Sequence, residues 1–232
     1  MERRRIAVCV SSGGIDSTVA ATIASQEGYE LHFLHASYGQ RAEEREKEAV
    51  TQIARYLEAK ELQFAEIPFL KELGGSALTD FAQSVPVGEE VPLGLDKEHE
   101  TPTTWVPCRN LILLAHASAY AEVIGADALF VGFNAEEARS YPDNDVEFVK
   151  RYNAVLEKAV ASFSCVPTVN APLGGLLKPA IITRGAEINA PLHLTYSCYL
   201  GSEQHCGLCA SCLHRRRGFA DAGVEDPTEY LH

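Results

Sequence analysis

The sequence has no apolar run long enough to cross a membrane. Three arginines follow Met1 and Glu2, and they lead into a short apolar stretch rather than into a cleavable hydrophobic segment. We therefore expect no signal peptide, no contact with a membrane and a cytoplasmic location.

An excess of basic residues is also absent. The chain has 20 Lys and Arg against 32 Asp and Glu, so the formal net charge is −12. Proteins that bind a polyanion such as tRNA usually present a basic surface. We therefore expect no direct contact with nucleic acid, and the acidic balance disfavours tRNA thiolation, although it does not exclude a local basic patch.

Low-complexity tracts are absent, and hydrophobic residues make up 46% of the 232 positions. This composition is typical of a globular chain that can bury a full core. We predict an α/β domain over residues 1–190 and a small C-terminal segment over residues 191–232. Seven cysteines in a cytoplasmic chain favour metal or thiol chemistry over disulfides.

A short apolar stretch at residues 6–10 stops at two serines and two glycines. An acid, two hydroxyl residues and an Ala-rich helical pattern follow, which predicts a strand, a tight turn and a helix. Glycines let backbone N–H groups close around an anion, and the positive start of the helix attracts it. The acid can hold a cation or cap the helix. We assign nucleotide binding to Ser12, Gly13, Gly14, Ile15, Asp16 and Ser17.

Two common nucleotide-binding motifs do not fit this stretch. No Gly-Lys-Ser/Thr follows the glycines, which excludes a Walker loop, and no third glycine completes the dinucleotide fingerprint. The stretch instead resembles the Ser-Gly-Gly-x-Asp-Ser loop of the N-type ATP pyrophosphatases, a superfamily that adenylates its substrates and releases pyrophosphate. A glycine turn with an aspartate cap is the alternative that involves no ligand.

The rest of the chain alternates strand and helix patterns, which indicates an open parallel sheet with helices on both faces, a Rossmann-like α/β fold. Residues 69–104 are rich in glycine and proline, and we predict a mobile lid with one short helix there. The predicted strands are 5–10, 29–35, 61–67, 125–132 and 166–171. The predicted helices are 17–26, 43–57, 110–124 and 147–162, with a loop and helix over 173–188.

Polar clusters follow several predicted strands, and ligands bind at the carboxyl ends of strands in an open parallel sheet. Tyr38, Gln40 and Arg41 follow the second strand, and Gly132 ends the fourth. We assign these four residues to nucleotide binding. By itself, Arg41 would instead begin a solvated charged helix.

A second polar set surrounds the predicted helix at residues 110–124. Arg109 and Asn110 begin this helix, where a guanidinium and helix N–H groups could hold an anion together. The alternative makes Asn110 a helix cap and Arg109 a surface charge. The polar run after the fourth strand should face the same crevice. We assign substrate binding to Arg109, Asn110, Asn134, Glu137, Tyr141 and Asp143.

Four cysteines fall within fifteen residues near the C-terminus. Four thiolates match a closed tetrahedral zinc site, and an iron–sulfur cluster is the main alternative. We expect His205 and His214 not to bind the metal, and we expect the three other cysteines, Cys9, Cys108 and Cys165, to be ordinary buried thiols. The predicted metal ligands are Cys198, Cys206, Cys209 and Cys212.

Over essentially the whole chain, these motifs resemble the 7-cyano-7-deazaguanine synthases of queuosine biosynthesis. Tail residues Gly218, Phe219, Gly223 and Tyr230 also fit that family. The segments that carry the resemblance are residues 12–17, 38–41, 106–110, 141–143 and 195–199, together with the cysteine trio.

The resemblance implies that ATP and Mg²⁺ activate the carboxylate of 7-carboxy-7-deazaguanine as an adenylate. Ammonia would then give the amide, and a second activation would give the nitrile. The implied catalytic residues are Asp16 for the metal, and Arg109 and Lys178 for balancing charge at the carboxylate and α-phosphate. The resemblance also implies a homodimer and a structural Zn²⁺ site.

Two segments depart from the family pattern. In the loop after the fourth strand, Arg139 and Ser140 replace a small Ser-Gly pair, and Asn144 and Asp145 replace a Cys-Arg pair. A hydroxyl is also lost before Lys178. These changes suggest an inverted charge beside the substrate, with the ATP half intact and the acceptor half altered.

The departures leave an alternative to the synthase. A diverged ligase, of the kind found in some anti-phage defence operons, could activate the same deazaguanine and pass it to another amine, such as a protein N-terminus. A catalytically inactive, zinc-stapled binding module is a further alternative, and the intact Ser-Gly-Gly-x-Asp-Ser loop opposes it.

Overall fold

Five parallel strands form the centre of the computed structural model, which describes residues 3–91, 101–161 and 165–232. The strand order is β3-β2-β1-β4-β5, and β1 and β4 carry apolar residues on both faces, as buried parallel strands do. This confirms the predicted parallel sheet. The strands are β1 (Ile6–Val10), β2 (Glu30–Ser37), β3 (Glu61–Glu66), β4 (Ala128–Phe130) and β5 (Thr168–Asn170).

Helices cover both faces of the sheet, as the alternating pattern predicts. Apolar residues of α1 (Ile15–Gln26) and α2 (Glu43–Tyr56) pack on one face. Residues of α4 (Arg109–Ile124) and α5 (Val146–Ala159) pack on the other. In the part of the chain that the structure describes, no helix is both long and apolar enough to cross a membrane.

The C-terminal part contains a helix that the sequence reasoning missed. Helix α7 (Ala210–Ala222) begins directly after Cys209 and packs against α6 (Lys178–Glu187). The four cysteines belong to the same hydrophobic cluster as the sheet face that carries α1 and α2. The C-terminal segment therefore contributes to the main core.

The predicted lid contains packed structure where it is described. It begins within α3 (Pro68–Glu72), and the side chains of Ser76 and Ala77 are fully buried. Val87 pairs with Cys209 in an isolated antiparallel bridge, which ties this segment to the cysteine region. The lid prediction also covers residues 92–100, which lie outside the described residues.

The strand order places three strand ends at one edge of the sheet. Strands β2 and β4 flank β1 on either side, so their carboxyl ends lie beside the loop between β1 and α1. The chain leaves β1 toward β2 and later returns to its other side at β4. Ligands bind at such a reversal in open α/β sheets.

Candidate active site

The stretch from Ser12 to Ser17 forms the predicted turn between a strand and a helix. Gly13 has a φ of +78°, and a Cβ there would lie 2.9 Å from the Cβ of Ala49 in α2. No side chain caps the start of α1, where Gly14 occupies the N-cap position. The first backbone N–H groups of this helix are therefore available to an anion.

Gly132 lets the end of β4 touch the start of α1. A Cβ on Gly132 would lie 2.5 Å from the backbone nitrogen of Ser17 and 2.6 Å from the carbonyl carbon of Asp16. Any side chain would push the helix start away from the sheet. Gly132 borders the cavity, and its predicted contact with a nucleotide stays a prediction.

Asp16 and Lys178 form a largely buried ion pair at the edge of the sheet. The ammonium Nζ lies 2.5 Å from Asp16 Oδ2, and the side chains are 12% and 15% exposed for Lys178 and Asp16. Asn134 Nδ2 donates to the same oxygen at 3.2 Å. Burial opposes the charged ammonium, yet the carboxylates of Asp16, Glu137 and Glu136 raise the pKa of Lys178.

The other carboxylate oxygen of Asp16 has no partner among the described residues. Asp16 Oδ1 is buried, and burial raises the pKa of this carboxyl while Lys178 opposes the shift. Mg²⁺ prefers carboxylate and phosphate oxygens as ligands. The unpartnered Asp16 oxygen can supply the carboxylate ligand, and the helix N–H groups beside it suit a phosphate. The residues present therefore fit a magnesium-bound polyphosphate.

Arg109 supplies a cation at the first position of α4. Its Nη1 donates to the hydroxyl of Tyr38 at 3.2 Å, and its guanidinium carbon lies 5.8 Å from the centre of the Tyr38 ring. Within the described residues, no carboxylate forms an ion pair with it. Its charge is therefore available to a ligand.

Asn110 and Asp143 bind each other. Asp143 Oδ2 accepts the backbone N–H of Asn110 at 3.0 Å, and the Asn110 amide donates to Asp143 Oδ1 at 3.2 Å. Asp143 thus caps α4. Asn110 borders the cavity and Asp143 does not, so the structure gives Asp143 a structural role.

The loop after β4 is held by two asparagines. Asn134 Oδ1 accepts the backbone N–H groups of Glu136 and Glu137 at 3.0 and 2.9 Å. Asn144 accepts the N–H of Asn134 at 3.2 Å and donates to Glu137 Oε2 at 2.9 Å. Since Asn134 also contacts Asp16, this network connects the loop to the nucleotide-binding turn.

The residues after β2 are largely engaged with the protein itself. Gln40 accepts the N–H of Tyr38 at 2.8 Å and donates to Glu46 Oε2 at 2.8 Å. Arg41 donates to three backbone carbonyls within residues 77–83. These contacts hold the described part of the predicted lid, and the assignment of Gln40 and Arg41 to nucleotide binding stays a prediction.

Tyr141 stands on the opposite wall of the crevice. Its hydroxyl lies 3.0 Å from Thr104 Oγ1, and its ring stacks on Trp105 with centroids 5.8 Å apart. Burial raises the pKa of Tyr141, so the phenol stays neutral. An aromatic platform of this kind suits a planar ring system.

One cavity of about 610 Å³ joins these groups. That volume falls within the range of small-molecule sites. The cavity brings together predicted residues from five separate segments of the chain. They are Ser12, Gly14, Ile15, Asp16, Ser17, Tyr38, Gln40, Arg41, Arg109, Asn110, Gly132, Glu137, Tyr141 and Lys178.

Glu46 and His214 are two of the cavity-wall residues that were not predicted from the sequence. Glu46 lies on α2 in a run of charged residues that is typical of a solvated face, so the sequence pattern does not distinguish it from its exposed neighbours. His214 lies on α7, with Nδ1 2.6 Å from Glu136 Oε1. The hydrogen bond from His214 lowers the pKa of Glu136 to about 2. The sequence shows no signal for this pair.

The four predicted cysteine ligands meet in one buried cluster. Their sulfur atoms all lie within 4.8 Å of one another. The sulfurs of Cys206 and Cys212 are 3.8 Å apart, which is close to the separation expected for tetrahedral zinc with Zn–S bonds of about 2.3 Å. Cys206 also accepts the N–H groups of Leu208 and Cys209 at 3.4 and 3.2 Å.

The remaining cysteines and histidines do not join this cluster. His205 Nε2 accepts the N–H of Ser197 at 2.9 Å, so its ring is used elsewhere. Cys9 is buried as predicted, and burial raises the pKa of its thiol to about 12. The prediction was wrong for Cys108, which is exposed at the N-cap position of α4, where its φ is 52°. It was also wrong for Cys165, which is only half-buried.

The sequence model of the family described as "Queuosine biosynthesis protein QueC" matches residues 6–223. The chain belongs to the QueC family. A 7-cyano-7-deazaguanine synthase of Methanothrix thermoacetophila is 57% identical over 97% of this chain and 99% of its own length. A protein of Sulfurisphaera tokodaii, named 7-cyano-7-deazaguanine synthase 2, is 43% identical over 95% of this chain, which spans about half of that relative.

Among solved structures, a complex of 4-thiouridine synthetase with RNA and bound ATP has a TM-score of 0.52 and 18% identity. The match covers 94% of this chain and 50% of the 4-thiouridine synthetase chain. At this identity the likeness supports the fold alone. It agrees with the parallel sheet and with the Rossmann-like architecture.

The structure changes the interpretation of the altered loop. Asp145 accepts the N–H of Phe148 at 2.6 Å and caps α5, and it does not border the cavity. Asn144 holds the loop in place, as described above. The expected charge inversion beside the substrate is therefore wrong, because the new acid is used as a helix cap. The comparisons give no support to a ligase that transfers the deazaguanine to a protein.

Proposed function

We propose that this chain converts 7-carboxy-7-deazaguanine to 7-cyano-7-deazaguanine, with ATP as the activating substrate and ammonia as the nitrogen donor. The single observation that supports this most is the shared cavity. A loop suited to pyrophosphate borders the same space as the guanidinium of Arg109, which suits a carboxylate and forms no ion pair within the described residues. The names of the QueC-family relatives supply the product, and the family resemblance implies the substrate.

In the first half-reaction, a carboxylate oxygen of the substrate attacks the α-phosphorus of ATP, and pyrophosphate leaves. The loop Ser12–Ser17 holds the leaving group through helix N–H groups and hydroxyls. Arg109 orients the substrate carboxylate. Lys178 balances charge at the α-phosphate, which it can reach by exchanging its contact with Asp16.

Ammonia then attacks the acyl carbon, and AMP leaves with one oxygen of the original carboxylate. In the second half-reaction the amide oxygen attacks another ATP, and loss of AMP and a proton gives the nitrile. Two ATP molecules are therefore consumed for each nitrile. The chain supplies position and charge in both halves, and the same residues serve twice because both steps transfer an adenylyl group.

Two metals belong to the proposal. Mg²⁺, held through Asp16, would neutralise the charge of the polyphosphate. Zn²⁺, held by the four cysteines, would stabilise the fold, because four thiolates leave no open position for substrate. A homodimer is carried over from the family resemblance, and light scattering on purified protein tests it. The cytoplasmic location is carried over from the sequence pattern.

The test is a product analysis with matched amines. We expect the purified protein, ATP, Mg²⁺, ammonium and 7-carboxy-7-deazaguanine to give the nitrile by mass spectrometry. Replacing ammonium by a peptide with a free N-terminus should give no conjugate. Absence of AMP with any deazaguanine carboxylate would exclude the proposed function, and a peptide adduct would support the ligase alternative.

A further inference from the structure

Glu46 is a carboxyl group that borders the cavity and has no role in the chemistry described above. It lies on α2, which begins three residues earlier at Glu43 and packs against the nucleotide-binding turn. Its backbone oxygen would lie 3.1 Å from a Cβ placed on Gly13. Glu46 differs in this respect from its neighbours Glu44 and Glu48, which face solvent.

One oxygen of the Glu46 carboxyl accepts a hydrogen bond from Gln40, and the other has no hydrogen-bond partner among the described residues. Gln40 Nε2 donates to Glu46 Oε2 at 2.8 Å, while the amide oxygen of Gln40 accepts the N–H of Tyr38. This orientation fixes the carboxyl in place. Within the described residues, Glu46 forms no ion pair and receives no other side-chain hydrogen bond, so Oε1 is available to a ligand.

Burial raises the pKa of Glu46 to about 7, while the hydrogen bond from Gln40 and the charge of Arg109 oppose the shift. Ionisation of such a carboxyl is costly without a partner, and it becomes favourable when a ligand donates a hydrogen bond to the carboxylate. Tyr38, Tyr196 and Tyr199 border the same space and offer apolar ring surfaces. The site thus combines aromatic walls with an acceptor.

The deazaguanine ring and the adenine ring of ATP present different groups at the edge that a carboxylate acceptor would meet. A guanine-type ring presents two adjacent donors, the ring N1–H and the exocyclic 2-amino group. An adenine ring presents one amino donor beside a ring nitrogen acceptor, and an ionised carboxylate repels that acceptor. A carboxylate therefore selects the guanine type.

We propose that Glu46 determines substrate specificity by accepting hydrogen bonds from the N1–H and 2-amino groups of the deazaguanine ring. Arg109 holds the carboxylate at the opposite end of the same molecule. Enzymes commonly read a base through hydrogen bonds to this edge together with stacking. The inference rests on the proposed function, because it takes the deazaguanine carboxylate as the substrate.

The experiment compares 7-carboxy-7-deazaguanine with the same compound lacking the 2-amino group, by measuring AMP release. A hydrogen bond to a charged acceptor changes kcat/KM roughly 10- to 100-fold, and the wild-type protein should show that preference. In Glu46→Gln, kcat/KM for the parent compound should fall to a similar extent, and the preference should shrink to about threefold or less. The KM for ATP should not change.

Glu44→Gln is the matched control, because Glu44 lies on the same helix with its side chain 84% exposed. It should retain both the rate and the preference. If Glu46→Gln does not fold, Glu46→Asp provides the same comparison, because it retracts the acceptor without removing its charge. Zinc content and the melting temperature identify a folding defect.

Several results would overturn the inference. A wild-type protein that uses both compounds equally well would exclude the contact with the 2-amino group. A Glu46→Gln protein that keeps the preference would exclude Glu46 as its source. A raised KM for ATP with the preference retained would assign Glu46 to adenine. If the wild-type protein releases no AMP with either compound, the proposed function itself fails.

Discussion

Lys178 Nζ lies 2.5 Å from Asp16 Oδ2, although the two residues are 162 positions apart in the chain. The contact joins the start of α6 to the start of α1 at the sheet edge where the cavity opens. Gly218 of α7 packs against the same lysine, since a Cβ there would lie 2.6 Å from Lys178 Cγ. The nucleotide-binding turn is thereby coupled to the C-terminal helix that begins at the cysteine cluster.

We predict that Asp16→Asn both inactivates and destabilises the protein. Removing one partner of a buried ion pair leaves an uncompensated charge, at a cost of about 3 kcal/mol in the free energy of unfolding. The double variant Asp16→Asn with Lys178→Met should recover much of that stability and still release no AMP. Urea unfolding and an AMP assay measure the two effects, and full activity in either variant would contradict the account.

We predict that Gly132→Ala disrupts the site through packing. Its Cβ would lie 2.5 Å from the backbone nitrogen of Ser17, and relief of such an overlap costs about 1–3 kcal/mol. ATP binding should weaken because the start of α1 is displaced. Gly175→Ala is the control, since no atom lies within 4 Å of its added Cβ. Equal ATP affinity in both variants, measured by calorimetry, would refute this role.

We predict that Cys209→Ser loses bound metal and soluble protein together. Structural zinc binding contributes directly to folding free energy, and Cys209 is one of four buried ligands. Elemental analysis of the wild-type protein should find one equivalent of zinc. The control is Cys108→Ser, which changes an exposed cysteine outside the cluster. Iron and sulfide in stoichiometric amounts would instead support a cluster.

We predict opposite outcomes for the neighbours Asp145 and Asn144. Asp145→Ala removes the cap of α5 and should cost about 1 kcal/mol of stability, with AMP release unchanged. Asn144→Ala removes contacts to Asn134 and Glu137, so AMP release should fall. Chemical unfolding and steady-state kinetics compare the two. A strong effect of Asp145→Ala on kcat/KM would restore the idea of a charge acting on the substrate.

We predict a pH-dependent stability difference between the wild-type protein and Glu46→Gln. Because burial raises the pKa of Glu46 to about 7, the folded state binds more protons than the unfolded state between the ordinary glutamate pKa and pH 7. The stability conferred by the protonated group is therefore present at low pH and is lost as pH rises toward 7. Relative to the wild type, Glu46→Gln should gain thermal stability over this range, and a constant difference from pH 5 to pH 8 would contradict the raised pKa.

The sheet and the position of the site could be predicted because they follow from local patterns. Apolar runs that end in glycines and hydroxyls indicate buried strands with functional loops, and the carboxyl ends of parallel strands share one edge. This reasoning placed Asp16 and Arg109 near the same crevice, and both border one cavity. The bounds of β4 and β5 are shorter than predicted, because only their central residues pair.

The roles of individual polar residues could not be predicted in the same way. An aspartate that caps a helix and one that binds a ligand look alike in a sequence, so the sequence could not show that Asp143 and Asp145 cap helices. Glu46 could not be recognised, because one partly buried acid in a charged helix has no sequence pattern that separates it from its exposed neighbours. Helix α7 was missed because its pattern overlaps the cysteine motif.

The most direct test of the central claim follows the oxygen atoms of the substrate carboxylate. The protein would be incubated with ATP, Mg²⁺, ammonium and 7-carboxy-7-deazaguanine labelled with ¹⁸O at both carboxylate oxygens, and the products would be weighed by mass spectrometry. Two successive adenylations predict two AMP molecules per nitrile, each carrying one ¹⁸O, with unlabelled pyrophosphate. Label in phosphate or pyrophosphate, or an amide as the final product, would contradict the account.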